Sequence, residues 1–180
     1  MKNKALFLDR DGVINIDKNY IYKKEDFDFV KGIFNLITSA KKLGYIVIVV
    51  TNQSGIGRGF FTKEQFLDTN NWMIKELLKN NAKIDHTYFC PTHPTDGIGK
   101  YKIKDDRRKP NPGMFFEAEK DHDIDLINSI ISFNVSSFLS SNSVVVIFKK
   151  LQYFSFIWRC SFNNFEKYKK VSVVCKACCG

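Results

Sequence analysis

Near its start the chain carries an apolar run that stops abruptly: Ala5-Leu6-Phe7-Leu8 leads straight into Asp9-Arg10-Asp11-Gly12. In a strand successive side chains turn to opposite faces, so positions i and i+2 share one. The pattern predicts a short buried strand whose carboxyl end presents Asp9 and Asp11 together. In open α/β sheets ligands bind at that end. A polar loop through Asp17 and Tyr20 follows. Apolar residues then recur at helical spacing, Ile33, Leu36, Ile37, Ala40 and Leu43, with Gly44 as the stop.

The continuous run from Tyr45 to Val50 reads as a strand buried on both faces, and it too ends in polar residues, Thr51, Asn52, Gln53 and Ser54. A glycine-bearing loop, Gly55 to Gly59, precedes Thr62-Lys63-Glu64-Gln65, which has the spacing of a capping box. The helix it starts is predicted to run on through Phe66, Met73, Ile74, Leu77 and Leu78. A third strand is expected over Ile84 to Cys90. Before a short amphipathic helix from Gly113 to His122, Asn111 suits an N-cap and Pro112 the first helical turn. Strands alternating with helices imply an α/β fold with a parallel sheet.

Beyond Asp125 the punctuation disappears. Val144 to Phe148 is strand-like and Leu151 to Trp158 is apolar and aromatic, but no proline or glycine interrupts residues 126 to 179. Composition shifts at the same place. Of the formal net charge of +9, the segment from Leu126 onward carries +6, because Glu166 is its only acidic residue. Four of the five cysteines also lie there. The positive charge is thus no evidence for a nucleic-acid face on the first 125 residues, and no stacking platform accompanies it. No signal peptide is expected, because the first apolar run is too short. No stretch reaches the ~18 apolar residues of a membrane span. A cytoplasmic monomer without nucleic-acid or membrane partners is the expectation.

An Asp-x-Asp at a strand end is by itself a turn or cap as readily as a site. A second strand ending in Thr51-Asn52 and a basic pair, Arg108-Lys109, before a helix make phosphoryl transfer the better reading. Asp9 would be a nucleophile that splits hydrolysis into two steps, and Asp11 a proton donor and acceptor. A phosphate dianion facing two carboxylates calls for a hard cation, and oxygen-only ligands favour Mg²⁺, held by Asp9 and Asp11. Thr51, Asn52 and Lys109 could contact phosphate oxygens.

The segments LFLDRDGVIN, VIVVTNQSGIGRG and RRKPNPGM resemble the first three motifs of the haloacid dehalogenase superfamily of phosphatases. More narrowly they resemble the branch that includes heptose bisphosphate and histidinol-phosphate phosphatases. The resemblance implies a Rossmann-like three-layer α/β/α fold with a central, mostly parallel sheet and no large cap domain. It implies Asp9 as nucleophile and Asp11 as acid/base. Substrate contacts fall to Asp17, Tyr20, Thr51, Asn52, Gln53, Ser54, Arg108 and Lys109, of which Thr51, Arg108 and Lys109 stabilise the transition state. The implied substrate is a small phosphorylated sugar: a heptose 1,7-bisphosphate losing its 7-phosphate, on the route to nucleotide-activated heptose for surface polysaccharide. Histidinol phosphate is the alternative.

Two departures stand out. Where many members of the branch bind structural zinc, this chain has Cys90, Thr92, His93, Asp105, Asp106 and Arg107, so no zinc is expected. Where the superfamily places a strand ending in Gly-Asp, whose aspartate completes the metal site, this chain reads Ile130-Ile131-Ser132-Phe133-Asn134-Val135. The expected division is therefore a phosphatase domain over residues 1–130 and an aberrant segment over 131–180, explained by a shifted reading frame near residue 131. A catalytically impaired remnant is the corresponding alternative in function. Cys160, Cys175, Cys178 and Cys179 are read as incidental to that segment.

Overall fold

The computed structural model describes residues 2–134 and the strand Val145–Phe148. Among these residues the sheet contains β1 (Ala5–Leu8), β2 (Ile46–Asn52), β3 (His86–Cys90), β4 (Ile130–Asn134) and β5 (Val145–Phe148). Their spatial order is β3-β2-β1-β4-β5. The first four strands run parallel, and β5 lies antiparallel on the edge against β4. The chain moves outward from β1 through β2 to β3 and then returns to the other side of β1 for β4. Because crossovers between parallel strands are right-handed, that reversal sends the connecting helix to the opposite face.

Two apolar cores follow from this. Leu6, Leu8, Val47 and Val49 face Ile33 and Ile37 of α1 (Ile33–Lys42) and Met73 and Leu77 of α3 (Lys63–Lys79). Ala5, Phe7, Ile48 and Val50 face Met114, Phe115 and Ala118 of α4 (Gly113–His122). The fold is thus the expected three-layer α/β/α arrangement, with β1 between the two strands where the order reverses. In such sheets the crevice outside the carboxyl ends opens at that reversal.

Local chemistry accounts for most boundaries. Thr62 accepts from the Gln65 amide while the Gln65 side chain accepts from the Thr62 amide, a complete capping box at the start of α3. Gly44 ends α1 with a φ of +78°, a conformation that costs a glycine nothing. Asp85 lies just before β3 and ties it to the α1–β2 corner. Its Oδ2 accepts from the Val47 amide at 2.8 Å and from Lys41 Nζ at 2.6 Å. Burial pushes the Asp85 carboxyl up, but the bonds from Lys41 and Val47 outweigh it and hold the group below the ordinary carboxylate range.

Several expectations need correction. The buried stripe of α1 is Ile33, Ile37 and Ala40, whereas Leu36 is 38% and Leu43 74% exposed. Leu36 lies at the margin of that stripe, and Leu43 is the C-cap, where the helix has ended. On α3, Leu78 points away from the core that its neighbour Leu77 enters. The third strand starts at His86 and not at Ile84. The glycine-bearing loop contains a helical turn, α2 (Ser54–Gly57). Its glycines answer to space: a Cβ at Gly55 would come within 2.1 Å of the Phe61 ring, and one at Gly57 within 2.4 Å of the Pro91 carbonyl oxygen. The cap of α4 is Pro112, because the Asn111 side-chain amide donates instead to the Asp105 carbonyl at 3.3 Å. Leu151 to Trp158 and the four cysteines from Cys160 onward lie outside the described residues. Among the described residues no helix is long and apolar enough to cross a membrane.

Candidate active site

β1 is buried throughout, and the chain leaves it at Asp9, whose amide still donates to the Ser132 carbonyl of β4 at 3.1 Å. From there the backbone turns sharply through Gly12, at a φ of +80°, and the Gly12 amide closes onto the Asn15 carbonyl. The turn brings both carboxylates into one cluster of donors. Asp9 Oδ1 accepts from the Arg10 amide at 2.8 Å, and Asp9 Oδ2 pairs with Lys109 Nζ at 2.5 Å. Burial raises the pKa of Asp9, with Lys109 opposing it by charge and by hydrogen bond. Lys109 Nζ also donates to the Val50 carbonyl at 2.9 Å, so the ammonium lies between β1 and β2.

Asp11 is held from three directions. Arg10 Nη2 reaches Asp11 Oδ1 at 2.8 Å and Oδ2 at 3.1 Å, Asn15 Nδ2 reaches Oδ1 at 3.1 Å, and Gln53 Nε2 reaches Oδ2 at 3.0 Å. Gln53 Nε2 also donates to the Thr51 hydroxyl at 2.9 Å, which places Thr51 beside the pair. Arg10 is fully buried, lies over the Phe66 ring at 5.4 Å and donates to the Ile21 carbonyl. One side chain thus links the Asp11 carboxylate to the Tyr20 loop.

The remaining expected residues divide into those that meet this cluster and those that do not. Asn52 commits both ends of its amide to the Lys109 backbone, each at 3.0 Å. It clamps the segment bearing Lys109. The next bond, Lys109–Pro110, is cis. Arg108 Nη1 donates to the Thr92 carbonyl at 2.9 Å. Tyr20 accepts from Arg58 at 3.0 Å through its hydroxyl and packs edge-on against Phe60. Ser54 opens α2. Asp17 is exposed and accepts from the Asn19 amide within its own turn.

Four residues in and around the site take roles that the sequence pattern does not assign. Arg10 and Asn15 support Asp11, Arg58 joins Tyr20 to His93 and Asp96, and Asp105 binds Cys90 and Thr92. Only Arg10 left a signal, as a cation next to a buried strand and between two carboxylates.

The donor set decides which metals the site could take. Asp9 and Asp11 offer carboxylate oxygen alone, which suits Mg²⁺, an ion that keeps several waters and uses one or two carboxylates plus substrate phosphate. Those two residues would hold it. Among the described residues no three His, Cys, Asp or Glu side chains form a metal-binding group. In particular, Cys90 Sγ lies 3.0 Å from the Thr92 hydroxyl and 3.6 Å from Asp105 Oδ2 in a hydrogen-bonded group. Burial pushes the Cys90 thiol up. His93 turns toward Arg58 and Asp96 instead.

Residues 5–148 match the family model described as polynucleotide kinase 3 phosphatase. The chain is 53% identical over 131 residues to a D-glycero-alpha-D-manno-heptose-1,7-bisphosphate 7-phosphatase of Burkholderia mallei, covering 73% of this chain and 69% of that one. It is 44% identical over 131 residues to a D-glycero-beta-D-manno-heptose-1,7-bisphosphate 7-phosphatase of Vibrio cholerae, covering 73% and 70%. Among solved structures, a HAD-like phosphatase from Mesorhizobium loti superposes with a TM-score of 0.69 at 39% identity, over 72% of this chain and 62% of that one. The D,D-heptose 1,7-bisphosphate phosphatase of B. bronchiseptica, complexed with magnesium and phosphate, superposes with a TM-score of 0.64 at 29% identity, over 73% and 70%. With its reversing parallel sheet and paired strand-end carboxylates, the chain belongs to the haloacid dehalogenase-like phosphatases, a family of phosphoric monoester hydrolases.

Proposed function

We propose that the chain removes the 7-phosphate of a D-glycero-D-manno-heptose 1,7-bisphosphate in a Mg²⁺-dependent reaction through an aspartyl phosphate on Asp9. The observation that carries this reading is the Asp9–Lys109 pair at the end of β1, with Asp11 fixed beside it by Arg10, Asn15 and Gln53. The names of the relatives support the choice of sugar. The surface-polysaccharide route and a cytoplasmic location belong to the same reading.

Asp9 attacks phosphorus, and the bond to the sugar oxygen breaks as Asp11 gives that oxygen a proton. Water then attacks the aspartyl phosphate, Asp11 takes its proton, and inorganic phosphate leaves with Asp9 restored. Lys109 neutralises charge on the transferring group, and the Thr51 hydroxyl and Arg108 offer further donors. Asn52 keeps Lys109 in register, while Gln53 ties Asp11 to Thr51. Asp17, Tyr20 and Ser54 are assigned to the sugar. When bound by Asp9 and Asp11, Mg²⁺ would offset the repulsion between those carboxylates and the phosphate dianion.

The test is phosphate release by the purified full chain with Mg²⁺ from heptose 1,7-bisphosphate, histidinol phosphate and a 3′-phosphorylated oligonucleotide. The heptose bisphosphate is expected to be turned over fastest, and Asp9→Asn to reduce release by roughly 10⁴-fold or more. Faster release from either other substrate would reassign the specificity.

A second reading has its own observation: β4 ends in Ser132-Phe133-Asn134, with no carboxylate to join Asp9 and Asp11. On that reading the chain is an impaired remnant, and the segment from residue 131 follows a shifted frame. Mg²⁺ without effect on either melting temperature or turnover would favour it.

A further inference from the structure

The group formed by Cys90, Thr92 and Asp105 has no part in the scheme above, yet it lies between β3 and the segment that supplies Arg108 and Lys109. Cys90 is fully buried and Thr92 nearly so. Asp105 Oδ2 accepts from the Thr92 hydroxyl at 3.1 Å and from the Cys90 thiol at 3.6 Å. The other oxygen of the same carboxylate accepts from the Arg107 amide at 2.9 Å. Its backbone carbonyl accepts from the Arg108 amide at 3.0 Å and from Asn111 Nδ2 at 3.3 Å. Thr92 is gripped a second time, because its carbonyl accepts from Arg108 Nη1. The chain from Asp105 to Arg108 thus closes a ring on Thr92, and the next residue is Lys109, which Asn52 clamps from β2.

We propose that Asp105 is a positioning residue: through Thr92 and Cys90 it pins the 105–111 segment to the end of β3, so that Lys109 reaches Asp9 already ordered. The proposal rests on the reading of Lys109 as the phosphate-stabilising cation. A phosphate-binding ammonium on an unpinned loop would have to be ordered at each binding event, and pre-organisation removes that cost. The pin is made by hydrogen bonds from neutral donors to one carboxylate.

The test compares the full chain with Asp105→Ala and Asp105→Asn, each with and without Lys109→Met, by melting temperature, by backbone hydrogen exchange and by affinity for inorganic phosphate in Mg²⁺. Asp105→Ala is expected to speed exchange over 105–111 while leaving α3 unchanged. It should weaken phosphate binding about ten-fold when Lys109 is present and less than about two-fold in the Lys109→Met background. Asp105→Asn keeps a side-chain oxygen for Thr92 and should restore most of both. A general loss of packing would weaken binding equally in the two backgrounds, and that equality would overturn the proposal. So would wild-type exchange over 105–111 in Asp105→Ala. If the unsubstituted chain binds no phosphate, the phosphatase reading fails, and the exchange pattern alone decides whether Asp105 pins the segment.

Discussion

β1 lies between two parallel strands whose carboxyl ends are furnished very differently. On the β2 side, Thr51, Asn52 and Gln53 follow one another, and each contacts another residue of the site: Thr51 bonds to Gln53, Asn52 to Lys109, and Gln53 to Asp11. On the β4 side the Ser132 carbonyl accepts from the Asp9 amide. The buried Ser132 hydroxyl has no hydrogen-bond partner among the described residues. Yet β4 pairs with β1 in regular register, Leu6 with Ile130, Phe7 with Ile131 and Leu8 with Ser132. Apolar residues and backbone hydrogen bonds suffice to place a strand, whereas chemistry depends on which single side chain stands at its end. A fold of this kind can keep its sheet while the side chain at a strand end changes.

That contrast can be broken from either side. The largest effect is expected on the β2 side: Lys109→Met removes the cation on Asp9 and should lower the rate of phosphate release by about 10²- to 10³-fold, read in steady-state assays. If the loss is small, the clamp from β2 does not serve the chemistry. On the β4 side, Asn134→Asp adds a carboxylate to the end of the strand. The Mg²⁺ concentration for half-maximal activity should then fall about ten-fold, because hard-cation affinity follows the charge of the ligand set. An unchanged requirement would mean that the end of β4 takes no part in metal binding.

The smallest effect belongs to the scaffold under β2. Asp85→Asn should cost about 1 kcal/mol at neutral pH, measured by urea unfolding, since it weakens a part-buried bond to Lys41 and to the Val47 amide. Asp85 has its folded pKa below the unfolded value, so its contribution is full above the unfolded value. It is lost as pH falls through the folded one. The stability gap between the unsubstituted chain and the Asp85→Asn variant should therefore narrow in acid. Activity per folded molecule should not change, which separates this corner from the strand ends.

The legible parts of the molecule were those set by neighbours in sequence. The apolar run before Asp9, the β-branched run before Thr51 and the capping box at Thr62 each carry their own cause, and each became the expected element. Leu36 and Leu43 depart from the expected stripe because apolar residues also occur at the margin and end of a helix, where the core does not reach them. Asn111 lost its capping role to a bond with Asp105, six residues away, and Asn52 takes as its partner Lys109, 57 residues away. Arg10 and Asn15 reach Asp11 from one and four residues away, within the turn that follows β1, whereas Asp105 acts between segments, on Cys90 and Thr92. A one-dimensional pattern gives the type of such residues and no indication of their partners.

The central claim is that Asp9 carries the phosphoryl group. The direct measurement is an acid quench of the full chain turning over heptose 1,7-bisphosphate with Mg²⁺, followed by peptide mapping by mass spectrometry. The account predicts phosphate on the peptide from the end of β1, localised to Asp9 and absent from Asp9→Asn. Phosphate on another residue, or turnover that survives in Asp9→Asn, would contradict it.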